Sequence, residues 1–284
     1  MTTRRSFIKT SGLALGSASL LSAVPFGLSG CSDKNSLSYG FQTWTLRDQL
    51  GEDLPGTLKM MAEKGYKEVE FCSPLGYKDT PFEKFKSMSG TELSKIIDDS
   101  GLKCRSSHYG MGELRDDLQK SIDWSLEMGI TQMMCASFWL PEGSMDEYRK
   151  ACDELNEIGL KIKEAGMQAG FHNHHMEFEK RNGQLIYDIL MEELDPEIVK
   201  MQFQVAVISI GYKAADYFRK YPGRFISSHL ADWSNEKEAQ VPIGQGVVDW
   251  PDFFEAAKIG GVKNFFVEMD PETFSPSAEY LNSM

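Results

Sequence analysis

One phrase recurs along this chain: an amphipathic helical stretch, then a glycine, then a short β-rich run. It appears as Lys64-Gly65-Tyr66 ahead of Val69-Glu70-Phe71, as Ser100-Gly101-Leu102 ahead of Cys104 to His108, and as Met128-Gly129-Ile130 ahead of Met133 to Phe138. It returns as Ala165-Gly166-Met167 before Gly170 to His174, Pro222-Gly223-Arg224 before Phe225 to His229, and Gly260-Gly261-Val262 before Phe265 to Glu268. A glycine at a helix exit supplies the left-handed conformation that ends the helix. The helices carry one apolar stripe each, as in Leu54, Leu58, Met61 and Ala62, or Tyr148, Ala151, Leu155, Ile158 and Ile162. With an opening strand at Tyr39 to Thr45 and another at Val199 to Val205, eight strands alternate with crossover helices. The expectation is an α/β chain folded as one closed (β/α)8 TIM barrel. A doubly wound open sheet competes, but it normally has a Gly-rich phosphate turn after its first strand, and Gly40-Phe41-Gln42-Thr43-Trp44 is not one. Little chain follows Ser275, so closure at that end is either ragged or completed by a neighbouring subunit in a homo-oligomer.

Residues 1–30 stand apart from that grammar: a basic start, a weakly apolar Gly/Ser/Ala/Leu stretch and no acid. Thr3-Arg4-Arg5-Ser6-Phe7-Ile8-Lys9 resembles a twin-arginine export signal, and the run from Leu13 to Leu28 is too broken by Gly, Ser and Pro25 to span a membrane. Leu28-Ser29-Gly30-Cys31 resembles a bacterial lipobox, which makes Cys31 the acylated first residue of an exported cell-envelope or periplasmic lipoprotein and 31–36 its tether. The barrel is then residues 37–284, close to the roughly 250 residues that this architecture takes. The membrane enters only through that anchor.

Charge narrows the partners. The chain has net charge −12, and its leader holds basic residues and no acid, so the remainder is more acidic still. Binding a nucleic acid rests on concentrated Lys and Arg, which are absent here, and a neutral or cationic small molecule fits better. Cys72, Cys104, Cys135 and Cys152 show no CxxC spacing and read as buried free thiols.

All five histidines fall late in predicted strands: His108 on the third, His172, His174 and His175 at the fifth, His229 on the seventh. Gln42, Glu70, Gln202, Gln204, Asp232 and Glu268 share that phase. The carboxyl ends of all strands of a parallel barrel meet at one face, where active sites are built, so these side chains are expected to converge. Taken singly, a histidine is more often an ordinary core imidazole; the set points to a divalent ion in a mixed N/O shell. Such an ion polarises a carbonyl, and a positioned base then removes the neighbouring proton, the step shared by sugar isomerisation, epimerisation and β-elimination.

The residues also resemble a known family. Gly40-Phe41-Gln42-Thr43-Trp44-Thr45-Leu46-Arg47-Asp48 is similar to the opening strand of the sugar phosphate isomerase/epimerase-like proteins of the xylose-isomerase-like barrel superfamily. Gly170-Phe171-His172-Asn173-His174-His175-Met176-Glu177-Phe178, His229-Leu230-Ala231-Asp232, Gly244-Gln245-Gly246 and Phe266-Val267-Glu268 continue the resemblance in order. It implies a metal held from the last four strands, on His172, Gln204, His229 and Glu268. Two of these depart from the family's usual carboxylates, His172 standing for a glutamate and Gln204 for an aspartate. A less anionic shell shifts the expected ion from magnesium toward zinc, manganese, iron or cobalt. Gln245 and Ala231 likewise replace a frequent Glu and Lys.

The expected acid/base residues are His174, Glu177 and His108. The expected substrate contacts are Gln42, Trp44, Glu70, Asn173, Asp232 and Gln245, with Trp44 lying against a sugar ring. Three activities stay open: a metal-dependent isomerase or epimerase of a non-phosphorylated sugar, a metal-assisted lyase or dehydratase on a keto-sugar or 3-keto-glycoside, and a carbohydrate-binding lipoprotein without turnover. Export argues against phosphorylated substrates, which are chiefly cytosolic.

Overall fold

The computed structural model describes residues 38–284. The leader, the lipobox with Cys31 and the tether lie outside them. Eight strands form the barrel: β1 (Tyr39–Gln42), β2 (Glu68–Cys72), β3 (Lys103–Tyr109), β4 (Gln132–Cys135), β5 (Gln168–His172), β6 (Val199–Gln204), β7 (Phe225–Leu230) and β8 (Asn264–Val267). Neighbours in sequence are neighbours in space, every barrel pair is parallel, and β1 pairs with both β2 and β8, which closes the ring. The glycines expected at helix exits all take positive φ. At Gly261 a side chain would also meet the backbone of Gly223 and Phe225 at 3.1 Å, so position and conformation both demand glycine.

Strand alternation sorts the side chains onto two faces. Outward-facing Phe41, Phe71, Phe203 and Phe265 pack edge-on against aromatics of the surrounding layer, such as Phe203 on Phe218 at 5.7 Å and Phe265 on Phe254 at 5.2 Å. Burying each such ring contributes roughly 1.5–3 kcal/mol, and the ring of aromatics holds helices to barrel. The inward face is layered. At the bottom, Gln132 donates to Asn264 at 2.8 Å and Asn264 to Glu68 at 3.2 Å, a polar plug across the barrel. Above it Phe266 and Met134 fill the axis, because the facing positions are glycine: a Cβ on Gly40 would lie 2.6 Å from Phe266, and one on Gly170 2.2 Å from Met134. Everything polar above that layer is lifted to the carboxyl ends of the strands.

The helices are closed by local chemistry. Ser89 with Glu92 and Ser144 with Glu147 form reciprocal capping boxes ahead of Gly90–Asp99 and Met145–Glu164. The closing element is a helix, Phe274–Ser283, which buries Phe274, Ala278 and Leu281, while Tyr66 donates to the Phe274 carbonyl at 3.0 Å. Short as it is, it seals the first and last strands from within the chain. Two strand ends differ from expectation: β4 stops at Cys135, short of Phe138, and β5 stops at His172, so His174 stands on the following loop. All four cysteines among the described residues are free and buried. No helix of the described residues is long and apolar enough to cross a membrane.

Candidate active site

The top inward layer gathers His108 from β3, His172 from β5 and His229 from β7. Their ring centroids lie 4.4–5.1 Å apart, and one donor atom from each can be chosen so that all lie within 4.8 Å of one another. All three rings are buried. His108 and His229 are held from below by Glu70, itself fully buried on β2. One Glu70 oxygen accepts from Ser106 at 2.6 Å and Gln202 at 2.8 Å; the other faces His108 Nε2 at 3.0 Å and His229 Nε2 at 2.5 Å. Gln202 also accepts from His108 Nε2 at 2.6 Å and donates to Ser227 at 2.9 Å. Burial alone would raise the Glu70 pKa, but His108 and His229 outweigh it and hold the carboxyl well below the usual range.

His229 has a carboxylate on either side, because its Nδ1 lies 2.9 Å from Glu268. Burial would favour the neutral ring, yet Glu70 and Glu268 lift its pKa to about 9. His172 is the opposite case. Its Nδ1 is buried with no hydrogen-bond partner, and burial together with the neighbouring His229, His174 and His108 pushes its pKa well down. A neutral imidazole with an unpaired ring nitrogen among two other imidazoles is a nitrogen-rich donor set that suits a first-row ion. The residues present therefore fit a divalent metal.

The predicted ligands divide. His172 and His229 belong to the trio, and Glu268 stands against His229. Gln204 gives its amide N–H to Glu268 at 2.6 Å while its oxygen accepts from the Ala206 amide at 3.1 Å, so that oxygen is engaged with backbone. His108, expected as an acid or base, lies with the ligands. Gln42 reaches the same group, its amide nitrogen 3.2 Å from Cys72 Sγ and 3.4 Å from His108 Nδ1, and its oxygen accepts the Trp44 amide.

Above the trio opens a cavity of about 590 Å³, whose floor includes Gln42, His108, His172, His174 and Glu268. Trp44 lies on its wall. The His174 ring sits edge-on to His172 with centroids 4.8 Å apart, and burial pushes its pKa down to about 4. Glu177 is fully buried and is not a lining residue; it accepts the His174 backbone amide at 2.6 Å, and burial lifts its pKa to about 7. Asn173 is buried beside it and accepts the Gln204 amide at 3.2 Å. The remaining expected contacts stand elsewhere. Glu70 lies beneath the histidines, Gln245 is exposed on its turn, and Asp232 is wholly occupied in shaping the loop that follows β7. Its carboxylate accepts from the amides of Trp233, Gly244, Gly246 and Val248 and from the Trp250 indole, at 2.9–3.2 Å.

Sequence reasoning passed over Ser106, Ser227 and Arg115. The first two are small inward residues that complete the Glu70–Gln202 network; their alternation with His108 and His229 on the same strands is the signal that marks them as inward. Arg115 lines the cavity but is gripped by both oxygens of Glu154, at 2.6 and 2.7 Å.

Residues 58–284 match the family described as xylose isomerase-like TIM barrel, and the chain belongs to that family. It is 28% identical over 157 residues to an inosose dehydratase from Geobacillus thermodenitrificans, a match covering 48% of this chain, so the chain spans about half the length of that relative (52%). Its fold is similar to a sugar phosphate isomerase/epimerase from Parabacteroides distasonis, with TM-score 0.75 and 22% identity over 89% of this chain and 98% of the other. A protein solved with a zinc atom shares the fold at TM-score 0.61 and 15% identity, over 87% and 94% of the two chains. One from Mycobacterium smegmatis, in complex with magnesium, does so at 0.64 and 13%, over 88% and 96%.

Proposed function

We propose that this chain is a metal-dependent enzyme that removes a proton from the carbon next to the carbonyl of a non-phosphorylated sugar, as a sugar isomerase or epimerase does. The observation that carries the reading is the convergence of three buried imidazoles, one with an unpartnered nitrogen, of which His108 and His172 line the floor of a cavity together with the carboxylate of Glu268. His108, His172, His229 and Glu268 would hold a divalent ion, which supplies Lewis acidity toward a carbonyl. Glu70 orients two of these rings and fixes which of their nitrogens carry protons. His174 stands next to His172 and faces the same cavity; it takes the proton at Nε2 and returns it. Glu177 pins the backbone of His174. A free sugar is preferred to a phosphorylated one because Arg115, the one Lys or Arg on the wall among the described residues, is already paired bidentately.

A second reading, β-elimination from a keto-sugar or 3-keto-glycoside, is favoured over epimerisation by two observations. The Geobacillus relative carries the name of a dehydratase. Moreover, once the trio and Glu268 serve the ion, His174 is the one imidazole or carboxylate left on the wall among the described residues, while burial pushes the neighbouring Cys72 thiol up to about 12. One base suffices for isomerisation or syn elimination, whereas epimerisation by removal on one face and delivery on the other wants two. The test is proton NMR in D2O with free aldoses, ketoses and 3-keto-glucosides. Deuterium entering the sugar next to its carbonyl supports the proposal, loss of the β-substituent selects the second reading, and no exchange with any of them by metal-reconstituted protein contradicts both.

A further inference from the structure

The cavity has two chemically distinct zones. Its floor is polar, while its mouth is built from Trp44, Tyr77, Met111, Phe138 and Trp139, with Gly110 and Gly112 opening the space between them. Trp139 is 73% exposed and Trp44 38%, although both are large apolar side chains on the wall of a concave site. Trp44 is held by its side-chain neighbours and Trp139 through its backbone. Trp44 stacks on Phe82 at 6.5 Å and is covered by the Arg47 guanidinium, 4.6 Å from its ring centre. Trp139 follows Phe138, which is buried on Phe171 at 4.5 Å, and the Trp139 amide donates to Ser137 Oγ at 2.9 Å.

Backbone geometry adds a second, independent observation. Trp139 has φ +53°, a left-handed conformation that is an outlier for a bulky residue and is kept only where the surroundings impose it. Two polar side chains of the mouth are already engaged. Arg115 is held by Glu154 and Ser137 Oγ by the Trp139 amide. A monosaccharide bound at the floor leaves the two tryptophans bare, and a second sugar ring at the mouth would find its hydroxyls poorly matched. A flat, apolar group is what this zone can cover.

We propose that the mouth is an aglycone subsite: the substrate is a keto-glycoside, as in the elimination reading, whose oxidised glycone sits over the histidines and whose aromatic aglycone lies against Trp44 and Trp139. This rests on the proposed sugar chemistry of the floor, and it names the class of sugar used. The two claims separate in the experiment. Affinities for phenyl β-glucoside, methyl β-glucoside and cellobiose are measured by calorimetry on the metal-reconstituted chain and on its Trp139→Ala and Trp44→Ala variants, with no turnover required. Phenyl β-glucoside is expected to bind about tenfold more tightly than the methyl glycoside, as one good ring contact provides, with that ratio falling toward one in Trp139→Ala. Equal affinities in the unaltered chain, a ratio that survives both substitutions, cellobiose binding more tightly than the phenyl glycoside, or no binding by any of the three would each overturn the subsite. Solvent exchange on the keto-sugars, followed separately, reports on the floor alone: exchange without an aryl preference removes the subsite and leaves the chemistry, and an aryl preference without exchange does the reverse.

Discussion

Asp232 and the segment His172–Glu177, with its buried His172, Asn173 and Glu177, lie at the same end of the barrel, yet they are wired in opposite ways. Asp232 accepts five hydrogen bonds and faces a loop. The other segment leaves His172 Nδ1, Asn173 Nδ2, His174 Nδ1 and Glu177 Oε1 buried without partners. An unpaired buried polar atom costs about 1–3 kcal/mol, so a cluster of four is a substantial expense unless something outside the chain offsets it. The saturated carboxylate builds the frame; of the unsaturated residues, His172 and His174 line the cavity, where a ligand can meet them.

The contrast breaks first on stability. Asp232→Ala strips partners from five buried or half-buried donors and is expected to lower unfolding free energy by about 4 kcal/mol in urea titration, whereas His172→Ala, which removes an unpaired nitrogen, should cost less than half of that. A comparable loss in both would erase the distinction. Glu113 is an intermediate case: one oxygen accepts from Ser73 and Ser121, the other has no partner, and burial raises its pKa to about 7. A carboxyl with a raised folded pKa contributes stability that is complete below its unfolded value of 4.5 and disappears as pH rises through about 7. The unaltered chain should therefore lose about 2–3 kcal/mol from this group between pH 5 and pH 8, a slope that Glu113→Gln removes. Identical pH profiles for the two proteins would count against it.

A smaller effect sharpens the comparison within the site. Glu70→Gln keeps the shape beneath His108 and His229 but removes the charge that orients them, and ion affinity should fall about 10- to 100-fold in competition with a chelator. Unchanged affinity would make Glu70 a packing residue only.

Much of this was legible in the sequence because two periodicities report on it. Glycine at each helix exit marked the crossovers, and alternation along each strand put Glu70, His108, Gln204 and His229 on one face. The division of labour among them was not legible. Between β2 and β3 the register shifts, so that Glu70 comes to lie opposite Ser106. That irregularity has no signature in a single sequence, and it sets Glu70 beneath the histidines instead of beside a substrate. Asp232 was misleading for a related reason: a buried acid at a strand end looks the same in sequence whether its partners are a ligand or the amides of a later turn. His108 carried the right phase but no mark separating a ligand from a base. Glu177 follows a strand that ends at His172, two residues earlier than the apolar run suggests, and this turns its side chain toward the His174 backbone.

Whether the three buried imidazoles hold a metal ion is read by elemental analysis of the purified barrel, with His172→Ala measured in parallel after identical reconstitution. The account predicts close to one equivalent of a transition metal per chain in the unaltered protein and a large loss in the variant while the variant stays folded. No metal in the unaltered protein, or equal metal in both, would contradict it.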